Sequence, residues 1–141
     1  MEIIDTAMLD ALSAEAGKNP RLRLNRNFHA SLDAPAQRLL NALEPGTRVP
    51  AHRHRTTAET YVVLRGRLRI TVFDGAGAAK STVELSPEAG THGVHIPAGT
   101  WHGLEVLESG TVIFEVKDGP YTPFSPEDIL NVSGGSPHDA R

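Results

Sequence analysis

Gly46-Thr47-Arg48-Val49-Pro50-Ala51-His52-Arg53-His54-Arg55-Thr56-Thr57-Ala58-Glu59-Thr60-Tyr61-Val62-Val63-Leu64-Arg65-Gly66 carries the pattern on which the fold turns. His52 and His54 are two residues apart. In an extended segment that spacing turns both imidazoles to one face, about 6–7 Å apart along the backbone. Glu59 follows after a stretch long enough to turn and bring a carboxylate back beside them. The pair by itself fits a hydrated strand face better than a metal site.

Outward from this stretch, apolar residues recur at every second position in runs broken by Gly and Pro, the pattern of short strands. Strands are expected over Thr60–Leu64, Leu68–Phe73, Ser81–Leu85, Gly93–Ile96, His102–Leu107 and Thr111–Val116. Turns at Arg65-Gly66, Gly75-Ala76-Gly77, Pro87-Glu88-Ala89-Gly90, Pro97-Ala98-Gly99 and Glu108-Ser109-Gly110 separate them. Several short strands at this spacing predict an all-β sandwich or barrel.

Before Gly46 the period differs. Met8, Leu9, Leu12 and Ala16 have helical spacing, with Asp5 or Thr6 as N-cap and Gly17 placed to end the helix. After Asn19-Pro20, Arg21-Leu22-Arg23-Leu24 alternates like a strand. A second short helix is expected after Asp33, with Pro35 in its first turn and Leu39, Leu40 and Leu43 on its buried side. The expected organisation is therefore residues 1–45 packed on a barrel of residues 46–121, followed by a tail, 122–141, flexible at Gly134-Gly135-Ser136-Pro137.

Composition narrows the chemistry. The 14 basic and 17 acidic residues form no long run of one sign, which argues against nucleic acid as a partner. Cysteine is absent, so a metal would have to be held by imidazole or carboxylate. No stretch approaches the roughly 20 apolar residues that span a bilayer, and the start lacks the pattern of a secretion signal. A cytoplasmic protein with no membrane partner is the expectation.

The spacing Gly46, five residues, His52-x-His54, four residues, Glu59, six residues, Gly66 reproduces the first motif of the cupin superfamily, and the sequence resembles that superfamily. Pro97-Ala98-Gly99-Thr100-Trp101-His102 matches the centre of its second motif, although Gly90 and Gly93 are offset from the usual glycine and Val106 stands where Asn is usual. The resemblance implies a cupin jelly-roll barrel, also called a double-stranded β-helix, with a short N-terminal helical extension. It also implies one divalent transition metal on His52, His54, Glu59 and His102. Three imidazoles and a carboxylate suit Zn, Fe, Ni, Mn or Cu. Within the superfamily the chain is similar to the WbuC-type cupin fold metalloproteins, through Asn25-Arg26-Asn27-Phe28-His29, Gln37 to Gly46, Val63-Leu64-Arg65-Gly66 and Phe114 to Tyr121. That likeness implies a link to polysaccharide biosynthesis and, by analogy with small cupins, a homodimer.

Around the metal, His29, Tyr61, Arg26 and Asn27 are candidates for the pocket. His29 reads as a surface residue from its polar neighbours and as pocket lining from the resemblance. Tyr61 shares the inward face of Glu59. It either donates to a metal-bound ligand or is a core-edge aromatic satisfied elsewhere. Trp101 should pack beneath the site, and Arg65, Arg67 and Arg69 should form a solvated face. Arg26 and Arg48 are the anion candidates, while His92, His95 and His138 are assigned no function. The expected function is a mononuclear metal-binding cupin acting on or binding a small polar molecule, a class that includes sugar derivatives. A non-catalytic binding module and an Fe-dependent dioxygenase are the alternatives.

Overall fold

A computed structural model describes residues 1–132 of the chain. Helix α1 (Thr6–Lys18) opens it, followed by β1 (Arg23–Asn27), β2 (Ala36–Leu43), β3 (Glu59–Arg65), β4 (Leu68–Phe73), β5 (Ala79–Leu85), β6 (Gly93–Ile96), β7 (Trp101–Val106) and β8 (Thr111–Asp118). Two antiparallel sheets result, one ordered β1-β2-β8-β3-β6 and one ordered β5-β4-β7. Their inner faces meet in a core of Leu43, Tyr61, Val63, Leu68, Ile70, Leu85, Ile96, Val106 and Ile113. The all-β architecture with an N-terminal helix is as expected, but among the described residues no ladder joins the sheets into a closed barrel. Strand β6 is four residues long and runs into Pro97, which has no N–H to extend a ladder. The β5–β6 link is a 3-10 turn at Pro87–Ala89.

Helix α1 begins as expected, with the Asp5 side chain accepting from Met8 N. It runs through Gly17 and ends at Asn19, whose backbone N–H closes the last turn on Glu15 O and Ala16 O. Its Leu12 and Ala16 are buried on Leu40, Ala42 and Val112, which cover the outer face of the larger sheet.

The segment after Asp33 is not a helix. Residues 36–43 form strand β2, paired with β1 on one side and with β8 on the other. Leu40 and Ala42 face α1, whereas Leu43 faces the inter-sheet core. Because both faces are buried, the apolar positions do not alternate, and a two-faced strand gives the same spacing as one side of a short helix.

Gly66 turns β3 into β4 at φ 91°, a conformation that disfavours a side chain. A Cβ there would collide with the Thr111 backbone and hydroxyl. Among the described residues no helix is long and apolar enough to cross a membrane. The Gly134-Gly135-Ser136-Pro137 stretch and His138 lie outside the described residues.

Candidate metal centre

Two chain segments more than 45 residues apart meet at a reciprocal backbone pair. His52 N donates to His102 O and His102 N donates to His52 O, each at 2.9 Å. The Gly99 N–H donates to His54 O at 2.7 Å and ties the second histidine to the turn before β7. Glu59 opens β3, between Ile96 and Lys117 on the neighbouring strands. One ligand atom from each of His52, His54, Glu59 and His102 lies within 4.8 Å of all the others. Three of the four are buried, and His54 is half-buried.

The hydrogen bonds orient this set. His52 Nδ1 donates to Pro50 O at 2.7 Å, and His102 Nδ1 donates to Thr100 O at 2.9 Å. A carbonyl can only accept, so both Nδ1 atoms carry the proton and both Nε2 lone pairs are free to ligate. His102 Nε2 faces Glu59 Oε1 at 2.7 Å, and His54 Nε2 lies 3.5 Å from the same oxygen. A lone pair facing a carboxylate at that distance calls for a cation between them. A proton or a divalent metal meets that need, and the donor set fits a metal.

Electrostatics favour the ligating forms. Burial, reinforced by the nearby His102, lowers the His52 pKa to about 4, so its ring is neutral near pH 7. Burial alone would raise the Glu59 pKa, but the His102 and His54 rings against it outweigh that and hold the carboxyl below its usual range. Tyr61 is buried in the core and donates its hydroxyl to Glu59 Oε1 at 2.7 Å. Burial, with the Glu59 charge added, raises its pKa and keeps the phenol protonated as a donor.

The other candidates are dispersed. Arg26 and Asn27 line a separate cavity against Met8, Leu12 and Glu15 of α1, where Arg26 pairs with Glu2. His29 follows β1, its Nδ1 3.2 Å from Arg38 N, and it does not line the cavity at the cluster. Arg48 contributes only its carbonyl, to Arg23. Arg65 pairs with Asp10, and Arg67 and Arg69 with Glu84, as residues of a solvated face do. Trp101 lies under the Arg53 guanidinium, 4.4 Å from its ring centroid. His92 and His95 are exposed.

A cavity of about 190 Å³ opens beside the cluster, lined in part by Arg23, Asn41, Tyr61, Glu115 and Phe124. The segment after Pro120 crosses it. Phe124 stacks 4.3 Å from the His52 ring and 5.7 Å from His54. Asp128 accepts from Arg53 Nε at 3.1 Å and from Arg55 Nε at 2.7 Å. Those bonds, with one from Ser125, lower its pKa to about 2. Ile129 bridges to His52, and Leu130 N donates to Ala51 O. Read from its composition alone, this segment carried no function.

Glu115 was missed as well. It is buried and accepts from Asn41 Nδ2 at 2.9 Å. Burial, reinforced by the Glu59 charge, raises its pKa. A lone carboxylate inside the apolar run Val112-Ile113-Phe114-Glu115-Val116, on the parity of Ile113, was the available signal.

Comparison with known proteins places this geometry. A family model described as a domain of unknown function, DUF6016, matches residues 4–85. The chain belongs to this family. No curated protein matches it. Among solved structures, the capsular polysaccharide assembling protein CapF from Staphylococcus aureus is 21% identical, with a TM-score of 0.61 over 82% of this chain and 33% of CapF. TT1209 from Thermus thermophilus is 23% identical, with a TM-score of 0.60 over 84% of this chain and 97% of TT1209. The Cnp3 cupin domain of Schizosaccharomyces pombe is 10% identical, with a TM-score of 0.54 over 68% of this chain and 64% of that domain. The chain thus spans about a third of CapF and less than two thirds of the Cnp3 domain. At these identities the likeness establishes the fold alone, and that fold is a cupin fold.

Proposed function

We propose that this protein is a metal-binding cupin of the WbuC type, holding one divalent transition metal on His52, His54, Glu59 and His102 and presenting it to a small polar molecule. The convergence of four ligand atoms with the His52 and His102 Nδ1 protons already committed to carbonyls carries this reading. Zn, Fe, Ni and Mn all suit the donor set. A bound metal of this kind supplies Lewis acidity, polarising a ligand oxygen or lowering the pKa of bound water.

The chain's own residues supply the remaining parts. Tyr61 fixes Glu59 from behind, Phe124 shields the histidine rings from bulk water, and Glu115 is a carboxyl in the same cavity that is not spent on the metal. Glu115 tips the balance toward an enzyme over a passive binding module, since a buried carboxyl whose pKa burial raises, lining the same cavity as the cluster, is a candidate proton donor or acceptor. A sugar-derived ligand linked to polysaccharide assembly is consistent with the CapF likeness, which concerns the fold of that protein. The reading includes a homodimer, since β1 forms an edge of the larger sheet and leaves backbone groups for a second copy to pair with.

Elemental analysis tests the metal. The account expects one equivalent in the wild type and strong depletion in His52→Ala and His102→Ala. Full metal content in either variant contradicts it. An Fe-dependent dioxygenase additionally requires Fe to be the metal that supports turnover, and full turnover with Zn alone would exclude it.

A further inference from the structure

The inner wall of the larger sheet is polar where its neighbours are apolar. Adjacent strands place Leu39, Glu115 and Tyr61 in one cross-strand row, Asn25 and Asn41 in a second, and Lys117 beside Glu59 in a third. Of these Tyr61, Glu59 and Glu115 are buried and Asn41 is half-buried, and next to Leu43, Ile113 and Val63 of the core a buried polar atom costs free energy unless a partner satisfies it. Asn41 spends its amide N–H on Glu115, and its Oδ1 is buried without any donor. At the rim of the same cavity stand Arg21, Arg23 and Lys117. Arg23 donates only to Thr47 Oγ1 and the Arg48 carbonyl. None of the three is ion-paired among the described residues, whereas Arg53, Arg65 and Arg69 outside the cavity each hold a carboxylate. Asp118 is the one carboxylate placed with them at the rim, while Glu59 and Glu115 lie on the wall of the same cavity.

We propose that this wall is a subsite for a small hydroxylated carboxylate, of the class of hydroxy acids and sugar acids. Its carboxylate meets Arg23 and the neighbouring cations, and one hydroxyl donates to Asn41 Oδ1. The cavity of about 190 Å³ has room for roughly six waters, which suits one such molecule and no polymer. A guanidinium offers the planar fork that a carboxylate matches, and an acceptor with no donor selects a hydroxyl over a methyl. The inference deepens the metal-binding reading and rests on it in one respect, that the far end of the ligand faces the cluster.

Calorimetric titration of the full chain carrying one equivalent of Zn²⁺ tests it, with D-glucuronate, D-glucose, acetate and inorganic phosphate as probes. The expected result is that glucuronate binds at least tenfold tighter than each of the others. Arg23→Gln should abolish the preference for glucuronate over glucose. Asn41→Leu, which replaces a half-buried amide with an apolar side chain of similar size, should weaken glucuronate at least tenfold and leave acetate unchanged. Thermal melts establish that both variants fold. Phosphate or acetate equal to glucuronate, or wild-type affinity in both variants, overturns the subsite. A chain that takes up no Zn²⁺ contradicts the metal reading instead. Glucuronate titrated into that metal-free protein and into Arg23→Gln still tests the rim, where equal affinities overturn it.

Discussion

His52 and His102 are joined through both backbone groups, N to O and O to N at 2.9 Å, with ring centroids 4.4 Å apart. A ligand from the loop before β3 and a ligand from β7 are therefore set side by side by main-chain bonds. A metal on both rings would act as a cross-link between these segments. Metal binding should thus stabilise the fold, by about 2.7 kcal/mol when free metal is a hundredfold above its Kd. Differential scanning calorimetry should show the melting temperature falling by several degrees on chelation and recovering when metal is restored.

The metal-free protein should lose stability in mild acid. His52 has an ordinary pKa of 6.5, lowered to about 4 in the folded chain. Above pH 6.5 the ring is neutral in both states and contributes nothing. Between pH 6.5 and 4 the unfolded chain takes up a proton that the folded chain refuses, so stability falls as pH falls. At about 1.4 kcal/mol per pH unit, the loss is on the order of 3 kcal/mol by pH 4. Glu59, whose carboxyl is held low, adds a loss of the same sign further into acid. Urea titrations between pH 7 and 4 check the slope, and a flat profile contradicts it.

Tyr61→Phe removes the donor to Glu59 Oε1 and leaves the ring in the core. The expected cost is about 1–2 kcal/mol of stability. Metal affinity should fall by about tenfold, as when a group that orients a ligand is lost. Competition with a chromogenic chelator measures the second effect, and unchanged affinity would show that Tyr61 serves only packing.

Phe124→Ala uncovers the His52 and His54 rings, and Asp128→Asn weakens the links to Arg53 and Arg55. Each change should speed metal removal by a chelator severalfold. The melting temperature should change little, because Asp128 and its partners lie near the surface. Stopped-flow chelation reads the rate, and a wild-type rate in both variants would mean that the segment does not control access.

Most strands were legible in the sequence, β8 among them although Val112 and Ile113 are buried on opposite faces, because the turn ending at Gly110 marked its start; β2 was not. Leu68–Phe73 and Gly93–Ile96 were expected with the bounds that β4 and β6 have, because alternation or flanking turns marked them. β2 has α1 on one side and the inter-sheet core on the other, which removes alternation and gives Leu39, Leu40 and Leu43 a helical look. At the candidate centre, the spacing of His52, His54 and Glu59 and the Pro-x-Gly before His102 singled out four residues that the fold brings together. Phe124 and Asp128 were illegible because an irregular segment has no period, and its contacts with Arg53 and Arg55 span more than 70 residues. Arg26 and Asn27 were candidates from the polar cluster before the motif and His29 from the resemblance, but Arg26 alternates away from Arg23 and Asn25, Asn27 ends β1, and His29 lies past it, so none of the three lines the cavity at the cluster.

A crystal structure of the protein as purified, with anomalous diffraction recorded across the absorption edge of the metal found by elemental analysis, tests the central claim most directly. A single peak is expected about 2.0–2.2 Å from Nε2 of His52 and His102, a ring nitrogen of His54 and a Glu59 carboxylate oxygen, with at least one coordination position facing the cavity. A peak elsewhere, or none in protein that carries one equivalent of metal, would contradict it.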